Sequence, residues 1–537
     1  MSLPAHFCVG ICEQASENVV PSAHKHMLVN AVSKRDATLV DRKTFLQQFS
    51  LPEEISLNDA ESFRSLLWEF KDIFPDKSEK FGCTNLIKFR ITLRKDSHPI
   101  KARPYRSNPR LRKEITRQVQ DMMNDDIIRP STSSYVSPVL LVEKADGSLR
   151  FVTDFRRMNA ENIVPEPAIL PRIDCSLESI GSSKATLFST LDMLKGYWQI
   201  PIEESSKQYT AFITHDGVFE YNRMPFGLAN SPACFVRLMT RVLHGLIWES
   251  CLVYIDDIIV FSKDFPQHLA RLRSVFDRIR GANLKLKPTK CSFLRAEIKF
   301  LGHIISASGI RPLPDKIKSI ENFPVPQSVK EVQAFLGLVG YYRKFIKDFA
   351  AIAGPLHDLT KKKTTFNWTQ LQQDAFNTLR TALLTPPILA YPDYERPYIL
   401  ETDASAYAVG YVLSQEHQGI VRPIAYSGKR LNGAQVNYST TEKEALAVVQ
   451  AFQQFDSFLR GNTVRVITDH VALKWLLTQK SPRGRIARWI AYLQLFTYTI
   501  EHRSGSKHQN AECNMTRIHL ISRIALRKHS FQCPRLQ

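Results

Sequence analysis

In the segment CLVYIDDIIVFS, residues 251–262, two adjacent carboxylates, Asp256 and Asp257, interrupt a run of Leu, Val, Tyr, Ile and Phe. Such a run reads as a buried strand or hairpin. Burying an unpaired carboxylate costs several kcal/mol, or displaces its pKa until it is neutral. Two carboxylates roughly 4 Å apart also repel by about 4 kcal/mol at an effective dielectric near 20. Their chemistry therefore asks for a cation. A third acid, Asp192, stands at the end of ATLFSTLD, which alternates like a strand through Leu187, Ser189 and Leu191. Alone it reads as a turn or cap residue. Beside an acidic pair on a second strand it suggests three carboxylates around divalent metal, as two-metal phosphoryl transfer requires. Spacing alone does not bring Asp192 and Asp256 together.

The last third of the chain repeats the pattern. Asp403 ends PYILETD and Asp469 ends TVRVITD, both strand-like. Between them a helix is predicted over 441–460, with Glu444, Val448, Phe452, Phe455 and Leu459 in one stripe, so that Glu444 heads the apolar face. Thr441 and Glu444 also fit a capping box, in which Glu444 folds back on the helix start. Taken with Asp403 and Asp469, the metal-binding role for Glu444 is preferred.

The elements that must position these acids are short. Residues 136–305 mix strands and helices with hairpin-like turns, 306–380 are mostly helical, and strands return from about 383. SLPEEISLNDAESFRSLLWEFKDIF reads as one or two short helices. HPIKARPYRSNPRLRKEITRQVQDMM reads as an extended half followed by a helical half. With 537 residues the chain has room for several domains, and its 44% hydrophobic content excludes a wholly disordered one. The net charge of +20 favours a polyanionic partner. Lys101, Arg103, Arg106, Arg110, Arg112 and Lys113 are candidate phosphate contacts. No apolar run approaches bilayer length, so no membrane role is expected. Nine cysteines without metal-site spacing read as reduced thiols in an intracellular compartment.

YIDD, preceded by LDMLKGYWQI and LRFVTDFRRMN, resembles the palm of a reverse transcriptase. RMPFGLANSPACF at 223–235, KFLGHIIS at 299–306, GYYRKFIKDFA at 340–350 and YSTTEKEALAVV narrow the resemblance. They look like the Pol polyprotein of gypsy-type LTR retrotransposons, in family order from about residue 87 to about residue 517. The resemblance implies an α+β polymerase right hand (fingers, palm, thumb) followed by an α/β ribonuclease H-like domain with a mixed sheet. Its implied divisions are an N-terminal extension at 1–86, fingers and palm at 87–305, and a helical thumb or connection at 306–382. A ribonuclease H-like domain at 383–517 and a basic tail at 518–537 complete them.

The resemblance also implies roles. Asp192, Asp256 and Asp257 match the polymerase metal ligands, and Asp403, Glu444 and Asp469 those of the ribonuclease H site, with two Mg²⁺ in each. Tyr197 matches the aromatic steric gate that favours dNTPs, and Phe226 and Gly227 match the floor of the nucleotide pocket. Lys144 and Arg150 match triphosphate contacts, although Ala145 stands where the family often has a second Lys. Phe300, Leu301, Gly302 and His303 match the hairpin gripping the primer, and His502 matches a His near the ribonuclease H site. RNA template, DNA primer, RNA–DNA hybrid and dNTPs are the implied partners, with a second copy of the chain as a further candidate and a cytoplasmic particle as the implied setting.

One departure stands out. The family usually ends this domain with an Asn-Ala-Asp segment, whereas this chain reads NAECNMTRI, with Glu512 at the catalytic Asp position. The extra methylene shifts the carboxylate by about 1.5 Å in a site needing placement within roughly 0.5 Å, so impaired RNA cleavage is expected. A decayed element that only binds nucleic acid is the alternative reading.

Overall fold

The computed structural model describes residues 41–75, 81–144, 146–168, 171–362, 364–470 and 482–503. The chain divides at Gln47/Gln48 into two units. In the first, the described residues hold one short helix, Arg42–Leu46.

The second unit is built on four sheets. A four-stranded sheet orders Cys251–Tyr254, Asp257–Ser262, Leu187–Asp192 and Ser292–Arg295 side by side. Its centre is a continuous apolar layer, with Phe188, Leu191, Ile258, Ile259, Val260 and Phe261 all buried. Helix Phe265–Gly281 packs behind the strand 257–262. Inside this layer His268 is held between the hydroxyls of Ser189 and Ser262, at 2.7 and 2.8 Å. Burial, with the charge of Arg271 second, pushes its pKa down to about 3. A five-stranded sheet carries the hairpin Ser137–Glu143/Leu149–Thr153, next to the expected helix, Pro109–Asn124, which Asn108 caps through the Leu111 amide. The six basic residues at 101–113 are all exposed.

The boundary expected at 305/306 cuts through a three-stranded sheet: Glu297–Phe300, His303–Ser306 and Gly309–Pro312. The last strand departs from the expectation that 306–380 are mostly helical. Gly309 has φ 133°, and a Cβ there would clash with the Leu389 carbonyl. That close approach lets Ile310 and Leu389 exchange both backbone hydrogen bonds, at 2.9 and 3.0 Å. The helices Pro314–Glu321, Val329–Tyr341, Gly354–Leu359 and Gln370–Leu384 follow, sharing one core with the palm strands through Phe335, Val339, Leu356 and Phe376.

The C-terminal sheet is mixed, as expected. Ile420–Arg430, Ala408–His417 and Tyr398–Ala404 run antiparallel, and Tyr398–Ala404, Thr463–Thr468 and Thr497–His502 run parallel. Helix Thr440–Gln454 covers one face; the predicted single helix to 460 breaks at Phe455 before a short turn, Asp456–Leu459. The apolar stripe survives the break, since Val448, Phe452, Phe455 and Leu459 are all buried. Among the described residues no helix is long and apolar enough to cross a membrane, and the five described cysteines are free thiols.

Candidate active sites

The register of the palm sheet answers what spacing could not. Asp192 and Asp257 are direct antiparallel partners, and Tyr254 pairs with Asp257 across the hairpin. Asp256 therefore lies on the two-residue turn between the strands. Such tight turns favour φ > 0, and Ile255 takes φ 54°, a costly conformation for a β-branched side chain.

The carboxylates are electrostatically short of positive charge. Burial, then the charges of Asp257 and Asp192, push the Asp256 carboxyl up to about 6 against the opposing pull of Lys290. Asp257 is raised by burial and by Asp192. Asp256 Oδ1 is buried without a hydrogen-bond partner among the described residues. The cation that is present is Lys290, which sequence reasoning missed: its Nζ lies 3.0 Å from Asp192 Oδ2. No local signal marks it, because the turn Pro288–Lys290 reaches the site only through the fold. Among the described residues no three His, Cys, Asp or Glu side chains converge closely enough to hold a cation as they stand. The donor set still fits a hard divalent ion: three carboxylates, two with raised pKa and one with an orphaned oxygen, are what a cation would relieve.

Beside the acids, Tyr197 stacks on Phe226 with centroids 4.8 Å apart at 22°, and the Arg150 guanidinium lies 5.0 Å from the centre of the Phe226 ring. Three of the expected nucleotide residues thus form one stack. The Tyr197 hydroxyl has its pKa raised by burial and by Asp256, which places it next to the acids. Gly227 has φ 96°, and its carbonyl accepts from Asn159 Nδ2 at 2.8 Å, which holds the turn after Phe226. Lys144 stays outside the stack, at the tip of the exposed hairpin with its ammonium 3.0 Å from Ser148 Oγ. Ala145 lies outside the described residues.

The hairpin 300–303 turns through Leu301 (φ 45°) and Gly302 (φ 71°). Tyr341 and Tyr342 donate hydroxyl hydrogen bonds of 2.6 Å to the Leu301 and Gly302 carbonyls, tying the hairpin to the helical segment. Phe300 and His303 are buried, leaving Leu301 and Gly302 as the accessible tip. Burial, then Lys344, pushes His303 down to about 4.

In the second site Asp403 lies one residue before the end of its strand, and Asp469 follows Thr463–Thr468 on the neighbouring parallel strand. The capping box at the helix start is Ser439 with Glu442, not Thr441 with Glu444. Ser439 Oγ accepts from the Glu442 amide while the Glu442 carboxylate accepts from the Ser439 amide, and Arg485 also binds Glu442. Displacing the cap by two residues frees Glu444 for the interior. It is 4% exposed, and its Oε2 has no partner among the described residues. Burial, then Asp403 and Asp469, push it up to about 8, and Asp403 is raised to about 6. These acids fit a divalent cation on the same grounds as the first set. His502 Nε2 lies 2.9 Å from the Asp469 carbonyl oxygen. Glu512 lies outside the described residues.

Family models bear on both regions. One described as reverse transcriptase (RNA-dependent DNA polymerase) matches residues 142–305. Another, described as an RNase H-like domain found in reverse transcriptase, matches residues 393–496. The retrovirus-related Pol polyprotein from transposon 297 of Drosophila melanogaster is 40% identical over 479 residues, covering 88% of this chain and 44% of that protein. The corresponding polyprotein from transposon gypsy of the same fly is 34% identical over 490 residues, covering 86% and 47%. The chain thus spans about half the length of the curated relatives it matches. Among solved structures, a foamy viral protease-reverse transcriptase in complex with double-stranded DNA shares the fold, with a TM-score of 0.74 at 24% identity over 86% of this chain and 81% of that one. The foamy viral protease-reverse transcriptase with an RNA/DNA hybrid gives 0.67 at 23% identity, over 86% and 62%.

Proposed function

Because this chain belongs to the gypsy-type Pol polyproteins and carries their reverse transcriptase and RNase H-like domains, we propose that it copies RNA and DNA templates into DNA and cleaves the RNA of RNA–DNA hybrids. The observation that carries the reading is the cross-strand pairing of Asp192 with Asp257, with Asp256 on the intervening turn beside the Tyr197–Phe226–Arg150 stack. The foamy viral relatives bound to double-stranded DNA and to RNA/DNA hybrid support a nucleic-acid duplex as partner.

In this reading Asp192, Asp256 and Asp257 hold Mg²⁺ in the first site and Asp403, Glu444 and Asp469 hold it in the second, where the ions would stabilise the charge developing on the reacting phosphate. Two ions in each site is part of the proposal. The primer 3′-oxygen bonds to the α-phosphorus of a dNTP, and the bond to pyrophosphate breaks. Arg150, stacked on Phe226, offers its guanidinium to the triphosphate, and Lys144 reaches it from the hairpin tip. The Tyr197 ring, stacked on Phe226, would serve as the gate against a ribose 2′-OH. Leu301 and Gly302 meet the primer strand at a turn that Tyr341 and Tyr342 hold in place. In the second site the 2′-OH and A-form shape identify the RNA strand. The exposed basic residues at 101–113 grip duplex phosphates without regard to sequence.

The test is extension of oligo(dT) on poly(rA) in Mg²⁺ by the full chain, beside Asp256→Asn/Asp257→Asn. Extension by the parent alone supports the reading. If neither protein extends while both bind the hybrid, the chain is a binding protein only.

A further inference from the structure

One carboxylate belongs to neither acidic motif. Asp348 lies in the helical segment between the two sheets that carry the acids, and it opens the short helix Phe349–Ile352 in the left-handed conformation, φ 55° and ψ 28°. Its carbonyl accepts from the Ala351 and Ile352 amides at 3.0 and 3.1 Å, but its side chain makes no cap hydrogen bond. The left-handed backbone explains a small polar residue here. It does not explain where the carboxylate goes.

The carboxylate goes to the second acid site. Helix Phe349–Ile352 lies against the strands Ala408–His417 and Ile420–Arg430. Gly410 is the direct antiparallel partner of Asp403, and side chains of directly opposed residues share a face of the sheet. A Cβ added to Gly410 would clash with Asp348 Oδ1. The glycine therefore vacates the position beside Asp403, and the Asp348 carboxylate fills it. Among the described residues that carboxylate makes no hydrogen bond or ion pair, and only the neighbouring Lys347 charge opposes it. A second, independent observation marks this cluster as a site for a ligand: the buried Glu444, whose Oε2 has no partner there.

We infer that Asp348 is a further carboxylate of the second acid site, admitted beside Asp403 by Gly410, and that it strengthens the binding of a divalent cation there. Cation affinity at oxygen sites follows the count of charged ligands. The inference rests on the reading of Asp403, Glu444 and Asp469 as cation ligands. It means that the helical segment contributes to the chemistry of the domain that follows it.

The test uses the full chain carrying Asp256→Asn/Asp257→Asn, so that the first site is silent, and follows free Mn²⁺ by electron paramagnetic resonance. Adding Asp348→Asn, which keeps the shape and tolerates the left-handed backbone, weakens Mn²⁺ binding by roughly tenfold or more. Its melting temperature in EDTA stays equal or rises, because a like charge has been removed. Gly410→Ala weakens binding in the same direction by displacing the carboxylate. Unchanged Mn²⁺ affinity in Asp348→Asn, or a lower melting temperature in EDTA, overturns the inference and leaves the site itself standing. Absence of Mn²⁺ binding in the starting protein overturns the site and the inference together.

Discussion

Glu444 provides the sharpest test of whether these acids are placed for a cation rather than for stability. Its pKa stands at about 8 against an ordinary 4.5, first because burial penalises the charge and then because Asp403 and Asp469 repel it. A group whose folded pKa is raised holds its proton more tightly in the native state. Between pH 4.5 and about 8 the unfolded chain binds fewer protons than the native one, so metal-free stability falls as pH rises. At about 1.4 kcal/mol per pH unit the full displacement corresponds to an upper bound of ~5 kcal/mol. Water reaching the partly exposed Asp403 and Asp469 screens the repulsion, so roughly half of that is expected. Glu444→Gln removes the charge while keeping the shape. In EDTA its urea midpoint is expected to match the parent's at pH 5 and to lie well above it at pH 9. In Mg²⁺ the difference narrows, because the cation stabilises only the parent's carboxylate. A variant that is less stable than the parent at pH 9 in EDTA would refute the reasoning, for it would mean that Glu444 is held by bonds rather than by a missing cation.

Other consequences are independent of that site. His268 and His303 are kept neutral by burial, with pKa values lowered to about 3 and about 4. Below pH 6.5 the unfolded chain takes up protons the native state refuses, so each costs up to ~1.4 kcal/mol per pH unit. His268→Asn should flatten the acid limb of a stability-against-pH curve measured by denaturant titration, even if it lowers the plateau. Tyr197→Ala removes the ring stacked on Phe226; ribonucleotide incorporation should rise at least about tenfold relative to dNTP use in single-nucleotide extension, the equivalent of roughly 1.4 kcal/mol. Replacing Arg106, Arg110 and Arg112 by Gln should weaken duplex binding equally for all sequences. The slope of log K against log salt should fall by about 0.9 for each phosphate that is no longer neutralised, read by fluorescence anisotropy.

How much of this was legible in the sequence follows from the range of the forces involved. Alternation and apolar runs are local, so the strands 187–192 and 251–262 and the stripe from Glu444 to Leu459 could be read directly. The motifs carried Arg150, Tyr197 and Phe226, although the contact of both Arg150 and Tyr197 with the Phe226 ring belongs to the fold. The capping box was misplaced because Ser439 and Thr441 both precede an acid at the right spacing. The choice between them is made by burial of Glu444, assisted by Arg485 binding Glu442 from 43 residues away. Lys290 and Asp348 were not legible at all. Each is an ordinary charged residue on a short turn or helix end, and each matters only because a register brings a partner to it: Asp192 in one sheet, and Gly410 opposite Asp403 in the other. Both sites therefore hold the acids that a motif can encode locally and take their remaining charge from segments distant in sequence. Mutations in those distant segments should thus change the electrostatics of the acids without touching either acidic motif.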